Sequence, residues 1–224
     1  MGILRTTLVS LCALAVPATA WGVAVPVGPT GGAKVSTPTL TWTKDADDLV
    51  DEVAIATSKA VDGSGALVPG NIVDSSTPGN AATTWTSTNS GLWAGPYWWV
   101  VKTHKTAAPA AFAYSTPASF RLKTSLRCSP PRGQAQTKRR LYLTISCISN
   151  AHTVRVRLVV KRGGVTVKTL RRTVKVAHPN DSQASATFVW AVPGSIGKGT
   201  ILRLAARATA SEATVHKVGS TTAP

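Results

Sequence analysis

Residues 141–148 read Leu-Tyr-Leu-Thr-Ile-Ser-Cys-Ile, apolar at every second position, and the same two-residue period returns in residues 154–161. Successive side chains of a strand point to opposite faces, so this period buries one side of a sheet and leaves the other wet. No segment of the 224 residues sustains an apolar i, i+3, i+4, i+7 pattern, which is the spacing an amphipathic helix needs. Short alternating runs, with turn residues about every 8–12 positions, predict an all-β chain built as sandwiches.

The first twenty residues stand apart. Arg5 is their only charge, residues 8–16 are an apolar run, and Ala18-Thr-Ala20 is a small-residue cleavage pattern. Together these predict a signal peptide over residues 1–20, cut after Ala20. The run is shorter than the roughly 20 residues a bilayer span requires. Cys12 lies inside it and follows Leu11, which argues against a lipid anchor. No later stretch is apolar and long enough to span, so the expected location is secreted, in the extracellular space or the cell envelope.

Charge divides what remains. Residues 21–124 carry seven Lys/Arg and seven Asp/Glu; residues 125–224 carry seventeen Lys/Arg against Asp181 and Glu212 alone. Nearly all of the formal net charge of +16 therefore lies in the second half. This predicts two tandem domains, 21–124 and 125–219, with 220–224 as a frayed tail. It also points to an anionic partner for the basic half. Beyond the signal peptide the only cysteines are Cys128 and Cys147. In an exported domain such a pair predicts a disulfide, since neither has the neighbouring ligands that a zinc site needs. For a closed loop of about 19 residues, the chain-entropy model gives the bond about 3 kcal/mol.

In the first half, Leu40 and Trp42 alternate within residues 38–43, and Val53 and Ile55 within 51–57. Trp85 centres a short strand. Residues 91–103, Gly-Leu-Trp-Ala-Gly-Pro-Tyr-Trp-Trp-Val-Val-Lys-Thr, close a loop and open a strand rich in aromatic and β-branched residues. Tyr97, Trp99 and Val101 are expected in the core, with Trp98, Val100 and Lys102 facing outward. Residues 114–122 complete the set as a last strand, and residues 26–34, rich in Pro and Gly, precede it all as a loop or edge. The order Pro-Thr-Leu-Thr-Trp-Thr, Val-Ala-Ile-Ala-Thr-Ser, Gly-Pro-Tyr-Trp-Trp-Val-Val-Lys and Tyr-Ser-Thr-Pro-Ala-Ser-Phe resembles a fibronectin type III-like domain of secreted bacterial proteins. The resemblance covers about residues 25–123. It implies that Trp42 packs under the sheet, that Tyr97 acts as the tyrosine of the corner motif, and that Tyr114, Ser115 and Phe120 lie at the closing edge, although Thr116 intervenes before Pro117. It implies little about function, because this fold hosts many roles.

In the second half, residues 123–136 read as a link, with Pro130-Pro131 and Gly133. Cys147 shares the apolar face of residues 141–148 and should point inward. Residues 153–162 and 165–176 flank Gly163-Gly164, a strong hairpin signal. Val154, Val156, Leu158 and Val160 are the expected buried face, and a bulge near Leu170 would repair the irregular second arm. Strands over 184–192 and 200–209 follow, with an edge at 214–218. This half resembles a loosely defined immunoglobulin-like sandwich.

No enzymatic constellation emerges. His104, His152, His178 and His216 are scattered, and Walker, G-x-S-x-G and zinc signatures are absent. No catalytic residue, metal site or cofactor is expected. The acidic run Asp45, Asp47, Asp48, Asp51, Glu52 lacks the glycine and terminal glutamate of a calcium loop and reads as a charged connection between strands. Two surfaces remain. Trp93 and Trp98 are candidates for stacking on sugar. Arg139, Arg140, Arg155, Arg157, Lys161, Arg171 and Arg172, with Lys138, Arg162, Lys168 and Lys175 nearby, are candidates for binding anionic envelope polymers or acidic polysaccharide. Sequence-specific nucleic-acid binding is not expected, because only Tyr142 and Trp190 are interleaved with the cations. The expected function is a non-enzymatic binding or structural protein of the extracellular space. The alternatives are a carbohydrate-binding module and a plain structural spacer, in which the basic side chains only keep a sheet edge solvated.

Overall fold

The computed structural model describes residues 23–181 and 183–224; the signal peptide assigned to residues 1–20 lies outside them. Apart from one 3-10 turn at Pro69–Asn71, the regular structure among the described residues is strand. No helix there is long and apolar enough to cross a membrane.

The first sandwich sets a three-stranded sheet against a larger one. β1 (Val25–Gly28), β3 (Thr39–Thr43) and β6 (Thr84–Thr86) form the small sheet in that order. The large sheet runs β2 (Ala33–Val35), β9 (Ala118–Leu122), β7 (Gly95–Lys105), β4 (Asp48–Ala56), β5 (Ile72–Ser76), and β8 (Ala108–Tyr114) also pairs with β7. Alternation sorts the side chains between water and core. Leu40 and Trp42 meet Val53, Ile55, Tyr97, Trp99, Val101, Phe120 and Leu122. The Trp42 and Trp99 rings are tilted with centroids 6.5 Å apart, and Tyr97 stacks on Phe120 at 5.5 Å. Trp99 is fully buried, and its indole N–H donates to the Pro29 carbonyl at 2.9 Å. Tyr97 Oη donates to the Trp93 carbonyl four residues upstream, at 2.8 Å, which is the back-bond expected of a corner tyrosine. Truncating an aromatic of this kind to alanine costs about 3–5 kcal/mol.

β7 departs from strict alternation. Val100, expected outward, is buried with Ala54, Ala56 and Leu67 in a second small core, against which Ile72 and Tyr114 pack. The connection after β4 folds back over the outer face of the sheet and brings Leu67 with it. The expected last strand, 114–122, is two strands: β8 ends at Tyr114 and β9 begins at Ala118. The Pro/Gly-rich segment 26–34 supplies β1 and the start of β2.

The second sandwich pairs two four-stranded sheets. In one, β12 (Arg140–Ser149) is flanked on one side by β10 (Leu126–Cys128) and β11 (Arg132–Gln136), and on the other by β15 (Ala184–Ala191). The other runs β14 (Val165–Lys175), β13 (Thr153–Arg162), β16 (Ile201–Ala210), β17 (Ala213–Thr222). Leu141, Leu143, Ile145 and Cys147 of β12 face Val154, Val156, Leu158 and Val160 of β13 and Leu202, Leu204, Ala206 and Ala208 of β16 in one core. Gly163 and Gly164, at φ 54° and 87°, make the hairpin turn between β13 and β14, a conformation that needs two residues at positive φ. The disulfide joins Cys128 to Cys147, direct partners across β10 and β12.

Three expectations change here. The link expected over 123–136 is mostly strand, because β10 and β11 occupy it and only residues 123–125 separate β9 from β10. The bulge expected near Leu170 lies instead between Val160 and Lys161, opposite residues 166–168. The tail expected at 220–224 is structured. Ser220–Thr222 pair with Arg203–Ile201, and Ala223 is buried. β17 also crosses close to the other sheet: a Cβ on Gly219 would lie 2.1 Å from the Pro131 carbonyl oxygen. Glycine is required there by the approach of another backbone.

At the junction, buried Asn150 donates from Nδ2 to the Lys123 carbonyl at 3.0 Å. It accepts the Ser125 N–H at 2.7 Å, while its carbonyl takes the Ala94 N–H at 2.8 Å. Asn180 reaches the Ser90 carbonyl at 3.2 Å, and Trp93 stacks on His152 with centroids 4.1 Å apart. Lys34 pairs with Glu212 at 2.8 Å.

Candidate functional site

Three strands of the second sandwich line up their cations. Val154, Val156, Leu158 and Val160 point inward, so Arg155, Arg157 and Lys161 of β13 lie on the outer face. Cross-strand pairing sets Arg157 opposite Arg171 of β14 on one side and Arg207 of β16 on the other, and Arg207 opposite His216 of β17. One row across the sheet therefore reads Arg171, Arg157, Arg207, His216. Arg155 stands beside it between Thr173 and Thr209, and Lys161 and Arg203 are paired further along. Strands lie about 4.8 Å apart and residues about 3.4 Å along each, so the row of guanidinium groups and the Lys161–Arg203 pair are separated by roughly 13 Å. Val159 and Ala205 lie between them. Arg155, Arg157, Arg171, Arg172, Arg207 and Thr209 are among the residues that line a shallow hollow of about 510 Å³.

Like charges directly opposite across a sheet are destabilising by a few tenths of a kcal/mol to about 1 kcal/mol per pair. Among the described residues, no ion pair involves a cation of β13, β14 or β16. The face therefore presents uncompensated, exposed guanidinium forks, the geometry suited to bidentate contact with phosphate or carboxylate oxygens.

Of the residues singled out in sequence, Arg155, Arg157, Lys161 and Arg171 come together here. Arg172 does not join their row: its register opposite Val156 turns it the other way, and its guanidinium donates to the Thr187 carbonyl at 2.6 Å, closing the sandwich edge. Arg139 binds the carbonyls of Val192, Pro193 and Ile196 and holds the loop after β15. Arg140 lies on the other sheet, opposite Ala191. Arg203, Arg207 and His216 were not singled out, although the alternation of Leu202, Leu204, Ala206 and Ala208 was the signal that would have placed the first two outward.

The two tryptophans part company. Trp93 packs against the core of the second sandwich and stacks on His152. Trp98 is half-buried on the face of β7 opposite Tyr97 and Trp99, across from Ala56 and Ser119.

The acidic run has its counter-charge within the protein. Asp45, Asp47 and Asp48 bring carboxylate oxygens within 4.8 Å of one another. Lys105 Nζ sits among them at 3.3, 2.8 and 2.9 Å. The ammonium stands where a metal ion would. Its hydrogen bond to Asp47 and its ion pair with Asp48 hold the Lys105 pKa well above the usual lysine range, and the bond to Asp47 lowers the pKa of that carboxyl. Asp51 pairs with His104 Nδ1 at 2.9 Å. Among the described residues no hydroxyl or thiol bonds that imidazole.

No family model matches this chain, and no curated protein does. Among solved structures, the extracellular region of rat CD45, domains d3–d4, is similar at 17% identity with a TM-score of 0.35, covering 66% of this chain and 73% of that one. The FN1–FN3 domains of chicken CNTN1 are similar at 10% identity with a TM-score of 0.30, covering 88% of this chain and 67% of that one. Likeness of this degree says nothing about a shared activity.

Proposed function

We propose that this protein is an extracellular, non-enzymatic binding protein whose second sandwich holds linear anionic polymers of the cell envelope on the outer face of β13, β14 and β16. The observation that carries this reading is the row Arg171, Arg157, Arg207, three arginines in direct cross-strand register with no carboxylate partner among the described residues. A face that served only solubility would gain by interspersing both signs, because rows of one sign repel. A polyanion removes that repulsion and releases its own counterions. The first sandwich, with its balanced charge, acts as the spacer and support.

The test is binding of the secreted chain to purified envelope polymers and to inorganic polyphosphate over a salt series. Affinity should fall steeply with salt, and Arg157→Ser should lower the log–log slope by about 1. Arg140→Ser, on the other sheet, should leave the slope unchanged. Salt-independent binding, or none, would remove the proposal in favour of a spacer. Loss of binding to a neutral glycan with Trp98→Ala would instead support sugar recognition.

A further inference from the structure

The arginine face does not end at the edge of its sheet. Arg155 and Thr209 line the shallow hollow and also a cleft of about 410 Å³ at the junction of the two sandwiches. The far wall of that cleft belongs to the first sandwich and includes Arg121 of β9 and Gly95 at the start of β7. His152 and Ser211 also line it, and the Trp93 ring stacked on His152 holds one side in place.

We infer that this cleft is a second anion subsite, continuous with the arginine face, which takes a single oxyanion group, phosphate or carboxylate, from the same polymer and clamps it between Arg121 of the first sandwich and Arg155 of the second. The inference rests on the reading of the face as a polyanion surface. The residue types are of the right kind: Arg121 lines the cleft from the first sandwich and Arg155 from the second, and Thr153, Thr209 and Ser211 are also in its lining.

One carboxylate already lies in the cleft. Glu212, at the turn between β16 and β17, binds Lys34 at 2.8 Å. That hydrogen bond and the Lys34 charge hold its carboxyl below the usual range, and the Arg121 and Lys123 charges add to the effect. Glu212 is thus an internal competitor placed among cations of the first sandwich. A ligand oxyanion that enters the cleft shares Arg121 with it, so removing the Glu212 charge should strengthen binding while removing Arg121 weakens it. These opposite signs are not expected of substitutions that only loosen the junction.

The experiment follows the Trp93 indole N–H signal by NMR while the secreted chain is titrated with pyrophosphate, with malonate and with inorganic polyphosphate. Pyrophosphate or malonate should shift that signal, and the stronger of the two identifies phosphate or carboxylate as the preferred group. Arg121→Ser should weaken the small anion at least fivefold, and Glu212→Gln should strengthen it about threefold. Both side chains are exposed, so neither change should disturb folding, and an unchanged amide spectrum checks this. Arg157→Ser with Arg207→Ser should weaken polyphosphate at least tenfold and the small anion less than twofold. A Trp93 signal that neither small anion moves, or Arg121→Ser and Glu212→Gln variants that bind as the parent does, would overturn the cleft subsite and leave the face standing. Polyphosphate binding that ignores the Arg157 and Arg207 changes would overturn the face itself, and the inference with it.

Discussion

Lys105 and Arg157 both sit on central strands of their sheets, yet their surroundings are opposite. Lys105 ends β7 among three carboxylates; Arg157, in the middle of β13, has Arg171 on one side and Arg207 on the other. The difference follows from burial. Asp48 is fully buried, and a buried carboxylate without a partner costs several kcal/mol, so the first sandwich had to bring it a cation. The arginines stand in water, where each repulsion is small and screened. Folding therefore tolerates a cationic row that it would not tolerate inside, and the row remains available for a ligand. The first sandwich uses charge to close a strand connection, and the second displays it.

The comparison can be broken most directly by reversing charge. Arg157→Glu with Arg207→Glu should lower polyphosphate affinity at low salt more than a hundredfold, read by fluorescence anisotropy, since each charge-assisted contact is worth about 1.5–3 kcal/mol and two are replaced by repulsion. Asp45→Asn with Asp47→Asn, in the other sandwich, should leave affinity within twofold. Because that change makes the chain more positive by two, a marked gain in its affinity would mean that net charge, not the arranged row, sets binding. A second test separates the modules by stability. Cys128→Ser with Cys147→Ser should remove about 3 kcal/mol from the second sandwich and leave the first transition in place, measured by urea unfolding with Trp42 and Trp99 reporting on the first. A common shift of both transitions would show that the two halves unfold as one unit.

A smaller effect is expected from Lys105→Met. It strands Asp48 and should lower the melting midpoint of the first sandwich without altering polyanion affinity. Adding Asp48→Asn should restore part of the loss, and a double variant as unstable as the single one would contradict the pairing. The smallest effect is on pH. The lowered Asp47 carboxyl contributes stability above its ordinary pKa of 3.8, which is lost as pH falls through the lowered value. The raised Lys105 ammonium contributes below its ordinary 10.5, and that is lost as pH climbs through the raised value. The difference in melting midpoint between the parent and Lys105→Met should thus be widest between those limits and shrink toward both ends.

Much of this architecture is legible locally. The hairpin of β13 and β14 lies where Gly163-Gly164 falls between two β-branched runs, and β12 lies on the cleanest alternation in the chain. Tyr97, Trp99 and Val101 are buried as their spacing requires. What local pattern misreads is any position whose environment comes from elsewhere. Val100 is polar-facing by alternation and buried in fact, because Leu67, more than thirty residues earlier, folds over it. Ser220–Thr222 have the composition of a loose end and are strand, because residues 201–203 offer them an open edge.

The candidate site divides in the same way. Sequence alone determined that the chain is all-β, that its excess positive charge belongs to the second half, that Arg155, Arg157 and Lys161 share the face away from the core, and that Cys128 and Cys147 are the pair available to bond. Those are properties of a two-residue period and of composition, which need no partner. Only the tertiary structure decided that Arg171 and Arg207 flank Arg157, that Arg139 and Arg172 serve loop and edge, and that Arg121 and Arg155 line one cleft at the junction. Each of those facts depends on register between strands or on the docking of two sandwiches, with Arg157 and Arg207 fifty residues apart. A shift of one residue in such a pairing would send every side chain of a strand to the opposite face.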